Sequence, residues 1–291
     1  MFPLATPGSR WRVLVTALAI LLTAVLVLLV PGTRAGGAAP TAPTAPAPYG
    51  TGAPLTVFAA SSLTEALQKV AAAWTAHGGG PVTFSFDASS RLARQIEAGA
   101  PAHVFVAADV TWAAYVAAHA RVESQADLLG NTLVVAVRAS SGASFIPTRP
   151  ADLAAPGVER LALAGENVPA GAYARAALRA TGTWDAVQDR VVSGDNVRTA
   201  LGWVATGEAD AGIVYRTDVR VEPRVREAFA FPASAHPPIV YRGVVLAGAG
   251  ARDGAAFLVF CQGPEATAIF EAAGFGPPDA GAPVPAATGT P

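Results

Sequence analysis

Short apolar runs alternate with helical patterns along most of this chain, and that alternation limits the fold more than any other feature. The apolar run at residues 55–60 precedes a helical pattern at residues 62–77, in which apolar side chains share one face. The runs at residues 82–86 and 104–107 are each followed by a helical pattern in the same way. The alternation predicts an α/β architecture with parallel sheets.

The length of 291 residues favours two folded lobes over one, because single hydrophobic cores stop growing near this size. The alternation also continues to the end of the folded part of the chain. It predicts strands at residues 133–137, 161–164, 211–215 and 239–246, and helices near residues 172–180, 197–206 and 255–270.

An uninterrupted apolar or near-neutral run at residues 13–30 follows Arg10 and Arg12. Its length lies between the roughly 7–15 apolar residues of a secretory signal and the roughly 20 that span a bilayer. Residues 1–35 are therefore either a signal peptide or an N-terminal membrane anchor. Both interpretations predict an extracytoplasmic location, because the flanking arginines prefer the cytoplasmic side. No cysteine directly follows the run, which excludes a lipoprotein anchor.

Two segments have compositions that cannot form a core. Residues 36–54 consist almost entirely of Ala, Pro, Thr and Gly, which is typical of an extended linker. Residues 276–291 have the same character and predict a flexible tail. The folded part should therefore extend over about residues 55–275.

Charge and cysteine content exclude several classes of protein. The net charge is −1, and Lys69 is the only lysine among 20 basic residues, so no broad basic surface is expected and nucleic-acid binding is disfavoured. The single cysteine, Cys261, cannot form an internal disulfide or a multi-cysteine metal site.

No catalytic constellation is visible, so an enzyme is disfavoured and no cation-ligand set is predicted. The four histidines, at positions 77, 103, 119 and 236, have no metal-ligand spacing, and neither a G-x-S-x-G nor an H-E-x-x-H motif occurs. A hydrolase using Ser62 would need a partnered base, and nothing in the sequence places a histidine beside it.

Ser62 stands where the first predicted strand ends and the first helix begins. The unpaired backbone N–H groups and partial positive charge of a helix start can hold an anion. However, Ser62 and Glu65 also have the spacing of a capping box, so Ser62 could simply cap its own helix. Both interpretations stay open at this point.

Ser89 and Ser90 stand at the second strand-to-helix junction. In open α/β sheets the ligand site lies outside the carboxyl ends of the strands, where both this pair and Ser62 fall. Two such junctions in neighbouring units favour an anion site more than one does, although two ordinary helix caps would have the same pattern.

Three later segments offer similar donors. Pro169 suits the first turn of a helix and Gly171 allows close backbone approach, residues 194–198 form another capped helix start, and Tyr215 lies at a strand end. The alternatives are ordinary helix starts and a buried core tyrosine.

In their order along the chain, these segments resemble the periplasmic molybdate-binding proteins of ABC importers. The resemblance covers about residues 55–275. It extends through VFAASSL (57–63), ASS (88–90), LARQIEAGAPA (92–102), LGN (129–131), VPAG (168–171), VR (197–198) and GIVY (212–215).

The resemblance implies a two-lobed type II periplasmic-binding-protein fold with a ligand cleft between the lobes. Lobe 1 would comprise residues 55–133 plus 239–275, and lobe 2 residues 134–238. The implied ligand is molybdate or tungstate, with no cofactor, and the protein would be a monomer that docks on permease and ATPase subunits of an ABC importer.

Carried over position by position, the resemblance assigns the oxyanion to neutral hydrogen-bond donors. These would be the hydroxyls and amides of Ser62 and Ser89, the backbone amides of Ala170 and Val197, and the hydroxyl of Tyr215. No residue would ligate a metal cation directly. A sulfate- or phosphate-type oxyanion-binding protein and a membrane-tethered oxyanion sensor are the alternatives.

Three charged residues lie near these positions. Asp87 and Arg91 stand where the family more often has small residues, and we expect them to pair with each other or with solvent. Arg198 follows one of the assigned amides and could approach the site, but we expect it to be a solvated charge on the helix surface.

Overall fold

The computed structural model describes residues 50–140 and 145–278. The apolar run at residues 13–30, predicted as a signal or anchor, lies outside the described residues, as do most of the predicted linker and tail. None of the helices within the described ranges is both long and apolar enough to span a bilayer.

Strands and helices alternate along the described chain as the apolar pattern predicts. The strands are β1 Leu55–Ala60, β2 Val82–Asp87, β3 Val104–Ala107, β4 Val122–Gly130, β5 Leu133–Arg138, β6 Leu161–Ala164, β7 Val191–Gly194, β8 Ala211–Tyr215, β9 Val225–Ala230 and β10 Val240–Leu246. The helices are α1 Thr64–Ala76, α2 Ser89–Glu97, α3 Val110–His119, α4 Pro169–Ala180, α5 Trp184–Val187, α6 Val197–Thr206, α7 Arg216–Val221, α8 Ala251–Cys261 and α9 Pro264–Ala273.

The described strands form two sheets, and each sheet is the centre of one lobe. The first has the order β2-β1-β3-β10-β4 and the second the order β7-β6-β8-β5-β9. Strands β3, β6 and β8 are buried along their whole length. Their sequences are therefore continuously apolar or small rather than alternating, as expected where helices cover both faces of a sheet.

Both sheets are mixed, so the α/β prediction is confirmed while the prediction of parallel sheets is wrong. β1 pairs in parallel with β2 and β3, and β6 pairs in parallel with β7 and β8. However, β10 is antiparallel to β3 and β4, and β5 is antiparallel to β8 and β9. These two strands directly follow the passages of the chain from one sheet to the other. β10 lies between β3 and β4, and β5 lies between β8 and β9.

The sequence pattern misplaced several elements. The helix predicted at residues 255–270 is two helices, α8 and α9, because Gly263 and Pro264 interrupt the backbone pattern between them. The strands β4, β7 and β9 were missed, since polar residues occupy their partly exposed faces.

Trp74 fixes α1 against the C-terminal helices. Its side chain is fully buried, and its ring packs edge-on against Phe257 and Phe260, with centroids 5.5 and 5.7 Å away. The indole nitrogen donates to the carbonyl oxygen of Gly80 at 2.9 Å. Helix α1 is thereby held rigidly, and its start lies at the carboxyl end of β1.

Candidate functional site

A single small cleft between the lobes brings together the five residues selected from the sequence. It contains about 200 Å³ of empty space, part of it open to solvent, and its wall includes Ser62, Ser89, Ala170, Val197 and Tyr215. The first two follow β1 and β2 of the first sheet. The other three follow or end β6, β7 and β8 of the second, so the carboxyl ends of five strands converge here.

Two helix starts point uncapped N–H groups at the cleft. Helix α2 begins at Ser89 and α4 at Pro169, and no side chain among the described residues caps either start. Pro169 has no N–H group, so the first free amide of α4 belongs to Ala170. Each of these helix starts also carries a partial positive charge from its dipole.

The start of α6 is capped in a way that leaves one amide for the cleft. The Oδ1 atom of Asn196 accepts from the backbone amides of Arg198 and Thr199, at 3.0 and 3.1 Å. The amide of Val197, the first residue of α6, is not part of this cap. It therefore remains able to donate to an anion.

Ser62 does not cap its own helix, so the capping-box interpretation is wrong. The chain forms a short 3₁₀ turn at Ser61–Leu63 before α1 starts, and the Ser62 Oγ atom lies 2.8 Å from the hydroxyl of Tyr241. The Glu65 carboxylate binds the Arg198 guanidinium. The Ser62 hydroxyl is thus held by a tertiary contact and lines the cleft.

Ser89 is held by a backbone donor. Its Oγ atom accepts a hydrogen bond from the amide of Ala108 at 3.0 Å, and the side chain is buried. Because a hydroxyl both donates and accepts, the proton of Ser89 stays free to donate into the cleft.

Tyr215 carries the most informative polar atom of the site. The side chain is 1% exposed, and its hydroxyl has no hydrogen-bond partner among the residues that the structure describes. Burial raises the pKa of Tyr215 well above its ordinary value, so the group is a neutral donor. A buried hydroxyl without a partner costs about 1–3 kcal/mol, which an acceptor in the cleft would recover.

Asp87 lies on the cleft wall, but three donors occupy its oxygens. It accepts from the amide of Ala88 at 2.8 Å, from Arg91 at 3.1 Å and from the Asn196 side chain at 3.0 Å. The predicted pairing of Asp87 with Arg91 is confirmed. Arg91 also approaches Asp195 in the other lobe at 3.4 Å, so this cluster joins the two lobes at the cleft.

Arg198 is not a solvated surface charge, and that expectation is wrong. Its side chain is only 22% exposed, and Nε lies 2.6 Å from Asp218. Its two terminal nitrogens each lie 2.8 Å from a carboxylate oxygen of Glu65. Burial disfavours the charged form, but the two carboxylates outweigh it and raise the pKa of Arg198 above its usual range.

Asp109 lies directly after the cleft residue Ala108 and caps α3. Its carboxylate accepts from the amide of Trp112 at 2.8 Å, and the side chain is 7% exposed. Burial raises the pKa of Asp109 to about 7, against the opposing effect of this hydrogen bond. Its charge therefore changes near neutral pH.

The sequence interpretation missed several wall residues, among them Ser61 and Ala108. A signal for Ala108 was present, since it follows β3 just as Ser62 and Ser89 follow β1 and β2. The described residues contain no group of three or more His, Cys, Asp and Glu that could hold a metal ion. Hydroxyl and amide donors, with helix dipoles, suit a small anion.

A family comparison agrees with this geometry. The profile of the family described as bacterial extracellular solute-binding protein matches residues 55–276, which is most of the chain. The chain belongs to this family. The predicted resemblance and the two-lobed α/β fold are thereby confirmed, and membership of this extracellular family supports the predicted location outside the cytoplasm.

Individual members of the solute-binding family are similar over nearly their whole length. Molybdate-binding protein ModA of Escherichia coli (strain K12) is 39% identical over 226 residues, covering 76% of this chain and 88% of that protein. The protein of the same name from Haemophilus influenzae is 36% identical over 232 residues, covering 78% and 91%. The periplasmic molybdate-binding protein of Azotobacter vinelandii has a TM-score of 0.69 at 26% identity, covering 77% of this chain and 99% of that one.

Proposed function

We propose that this protein captures molybdate or tungstate outside the cytoplasm and delivers it to an ABC importer. The observation that carries the proposal is the fully buried Tyr215 hydroxyl, which has no partner among the described residues and lies in a cleft walled by other donors. The ligand contacts would be Ser62, Ser89, the amides of Ala170 and Val197, and Tyr215.

The chemistry of the donors favours a fully deprotonated tetrahedral dianion. Such an anion presents only acceptors, so neutral N–H and O–H groups can satisfy it without a buried countercharge. A protonated anion such as hydrogen phosphate needs an acceptor as well. Asp87 is the carboxylate on the cleft wall, and its oxygens already accept from Ala88, Arg91 and Asn196.

The relatives support the choice among dianions. Two proteins named for molybdate binding share 36–39% identity with this chain over most of its length. A solute-binding protein of this kind works with a permease and an ATPase on other chains, and acts by binding and release rather than catalysis. We further propose that it is a monomer, with one lobe of residues 55–133 plus 239–275 and another of residues 134–238.

Isothermal titration calorimetry of the purified protein with molybdate, tungstate, sulfate and phosphate tests the proposal. Molybdate and tungstate should bind at least about a hundredfold more tightly than sulfate, because fixed donors from two lobes select the size of the anion. Phosphate should bind weakly or not at all. Preference for sulfate or phosphate would contradict the assigned ligand, and a lack of binding to all four would contradict oxyanion capture.

A further inference from the structure

The Ser62 hydroxyl ends a chain of hydrogen bonds that starts at Asn131 and passes through the buried Tyr241. The side-chain nitrogen of Asn131 lies 3.1 Å from the Tyr241 hydroxyl, which lies 2.8 Å from the Ser62 Oγ atom. Tyr241 is fully buried and Ser62 is 4% exposed. The cleft hydroxyl is therefore connected through protein atoms alone to the segment that joins β4 and β5.

Asn131 determines which atoms donate and which accept in this chain of hydrogen bonds. The Oδ1 atom of Asn131 accepts from the backbone amide of Thr132 at 2.8 Å, so the amide nitrogen must face the other side. That nitrogen donates to Thr217 at 2.9 Å and to Tyr241. Because an amide nitrogen only donates, Tyr241 accepts from Asn131. Ser62 is then the acceptor, among the described partners of this hydroxyl, that the proton of Tyr241 can reach.

We infer that Asn131 and Tyr241 are positioning residues that hold the Ser62 hydroxyl as a donor toward a fully deprotonated oxyanion. With Tyr241 donating to Ser62, the serine proton cannot turn back to Tyr241 and is available to the cleft. The inference rests on the proposed function, since it states that the Ser62 hydroxyl donates to the bound oxyanion.

The second serine of the cleft is set in the same way by a different donor. The Ser89 Oγ atom accepts from the backbone amide of Ala108, which can only donate. Both cleft serines thus receive one proton from a fixed donor and keep their own for the ligand. The two serine protons are thus available to an anion that presents only acceptors, so this polarity favours the fully deprotonated dianion.

A substitution that exchanges the donor and acceptor roles in this chain of hydrogen bonds tests the inference. Asn131→Asp, measured at pH 8 to favour the ionised form, places a carboxylate that accepts from Tyr241. Tyr241 then accepts from Ser62, which turns the serine proton away from the ligand. The molybdate affinity should fall about tenfold or more by calorimetry. The new negative charge also acts directly on the anion, and a second background separates that effect.

In the Tyr241→Phe background the chain of hydrogen bonds is interrupted. Asn131→Asp should then lower the molybdate affinity only through the direct effect of its charge, by about threefold or less. An equal loss in both backgrounds would overturn the inference. Molybdate binding that is absent in the unsubstituted protein would instead contradict the proposed function, so the two failures are distinguishable.

A second cycle keeps the test independent of whether Asn131→Asp folds. Tyr241→Phe should lower the molybdate affinity about fivefold when Ser62 is present and have no effect in the Ser62→Ala background. Tyr173→Phe is the matched control, because this tyrosine donates to the carbonyl of Pro238 at 3.3 Å and is not part of the cleft wall. Additive effects of the Ser62 and Tyr241 substitutions would overturn the inference.

Discussion

Arg198 and Glu65 face each other across the cleft in a two-pronged ion pair, with both nitrogen–oxygen distances at 2.8 Å. Arg198 belongs to α6 in the lobe of the second sheet, where Asp218 also binds it at 2.6 Å. Glu65 belongs to α1 in the lobe of the first sheet. The pair therefore links the two lobes in this arrangement.

Glu65→Gln should weaken molybdate binding by about 1 kcal/mol, roughly fivefold, because a paired arrangement of charges between the lobes is lost. The loss should appear mainly as faster ligand release in stopped-flow measurements, since the pair links the two lobes that contribute the donors. Glu227→Gln is the matched control. It breaks a similar two-pronged pair with Arg216, at 2.8 and 2.9 Å, within one lobe. Equal release rates in all three proteins would contradict the role of the pair.

Tyr215→Phe should separate ligand binding from folding. The substitution removes a buried hydroxyl without a partner among the described residues, so the ligand-free protein should be as stable as the original or more stable by about 1 kcal/mol. Molybdate affinity should fall about tenfold, because one donor to the anion is lost. Urea unfolding and calorimetry on the same preparation check both effects. Unchanged affinity would contradict the assignment of the Tyr215 hydroxyl as a ligand donor.

Ser89→Ala should lower the affinity for molybdate by about 1–3 kcal/mol, since an anion acceptor loses its partner. The neighbouring substitution Ser90→Ala is the matched control. Ser90 is also buried, at 9% exposure, but it is not part of the cleft wall. Calorimetric titrations that give the same affinity for both variants would contradict the assignment of Ser89.

Asp109→Asn should flatten the dependence of stability on pH. The pKa of Asp109 is about 7 in the folded protein, against 3.8 ordinarily, so between these values the folded state binds more protons than the unfolded state. Stability from this group is therefore lost as the pH rises from about 4 to about 7, at roughly 1 kcal/mol per pH unit. Asparagine can still accept from the Trp112 amide, so the cap of α3 remains.

Urea unfolding of both proteins at pH 5 and pH 8 measures this slope. The difference in unfolding free energy between the original and Asp109→Asn should change by a few kcal/mol between the two pH values, about the size expected for one strongly shifted carboxyl. Parallel profiles would show that Asp109 has the same pKa in the folded and unfolded states.

The positions of Ser62, Ser89 and Tyr215 could be predicted from local sequence because each lies at or just after the end of an apolar run that predicts a strand. Ser62 and Ser89 are polar residues at such junctions, and the carboxyl ends of parallel strands meet at one edge of a sheet. The bounds of β1, β3, β6 and β8 follow from the same apolar runs. Ala170 and Val197 could be assigned only through the family resemblance, since a backbone amide can donate whichever side chain the residue has.

The partners of these residues could not be predicted, because they are distant in sequence. Ser62 meets Tyr241 across 179 positions and Arg198 meets Glu65 across 133, so no spacing connects them. A capping box for Ser62 and a solvated Arg198 were the local alternatives, and tertiary contacts overrode both. The antiparallel pairing of β5 and β10 could not be predicted for the same reason. An apolar run predicts a strand but does not show which strands will be its neighbours in the sheet.

The uncapped amides at the starts of α4 and α6 have a consequence for how this protein can vary. If Ala170 and Val197 bind the ligand through the main chain, a change of side chain such as Val197→Ala keeps the donor, so the chemistry of recognition persists in any side chain that the buried position can hold. Proline is the exception, because its ring replaces the amide hydrogen. Pro169, which has no amide hydrogen, lies directly before the donor Ala170.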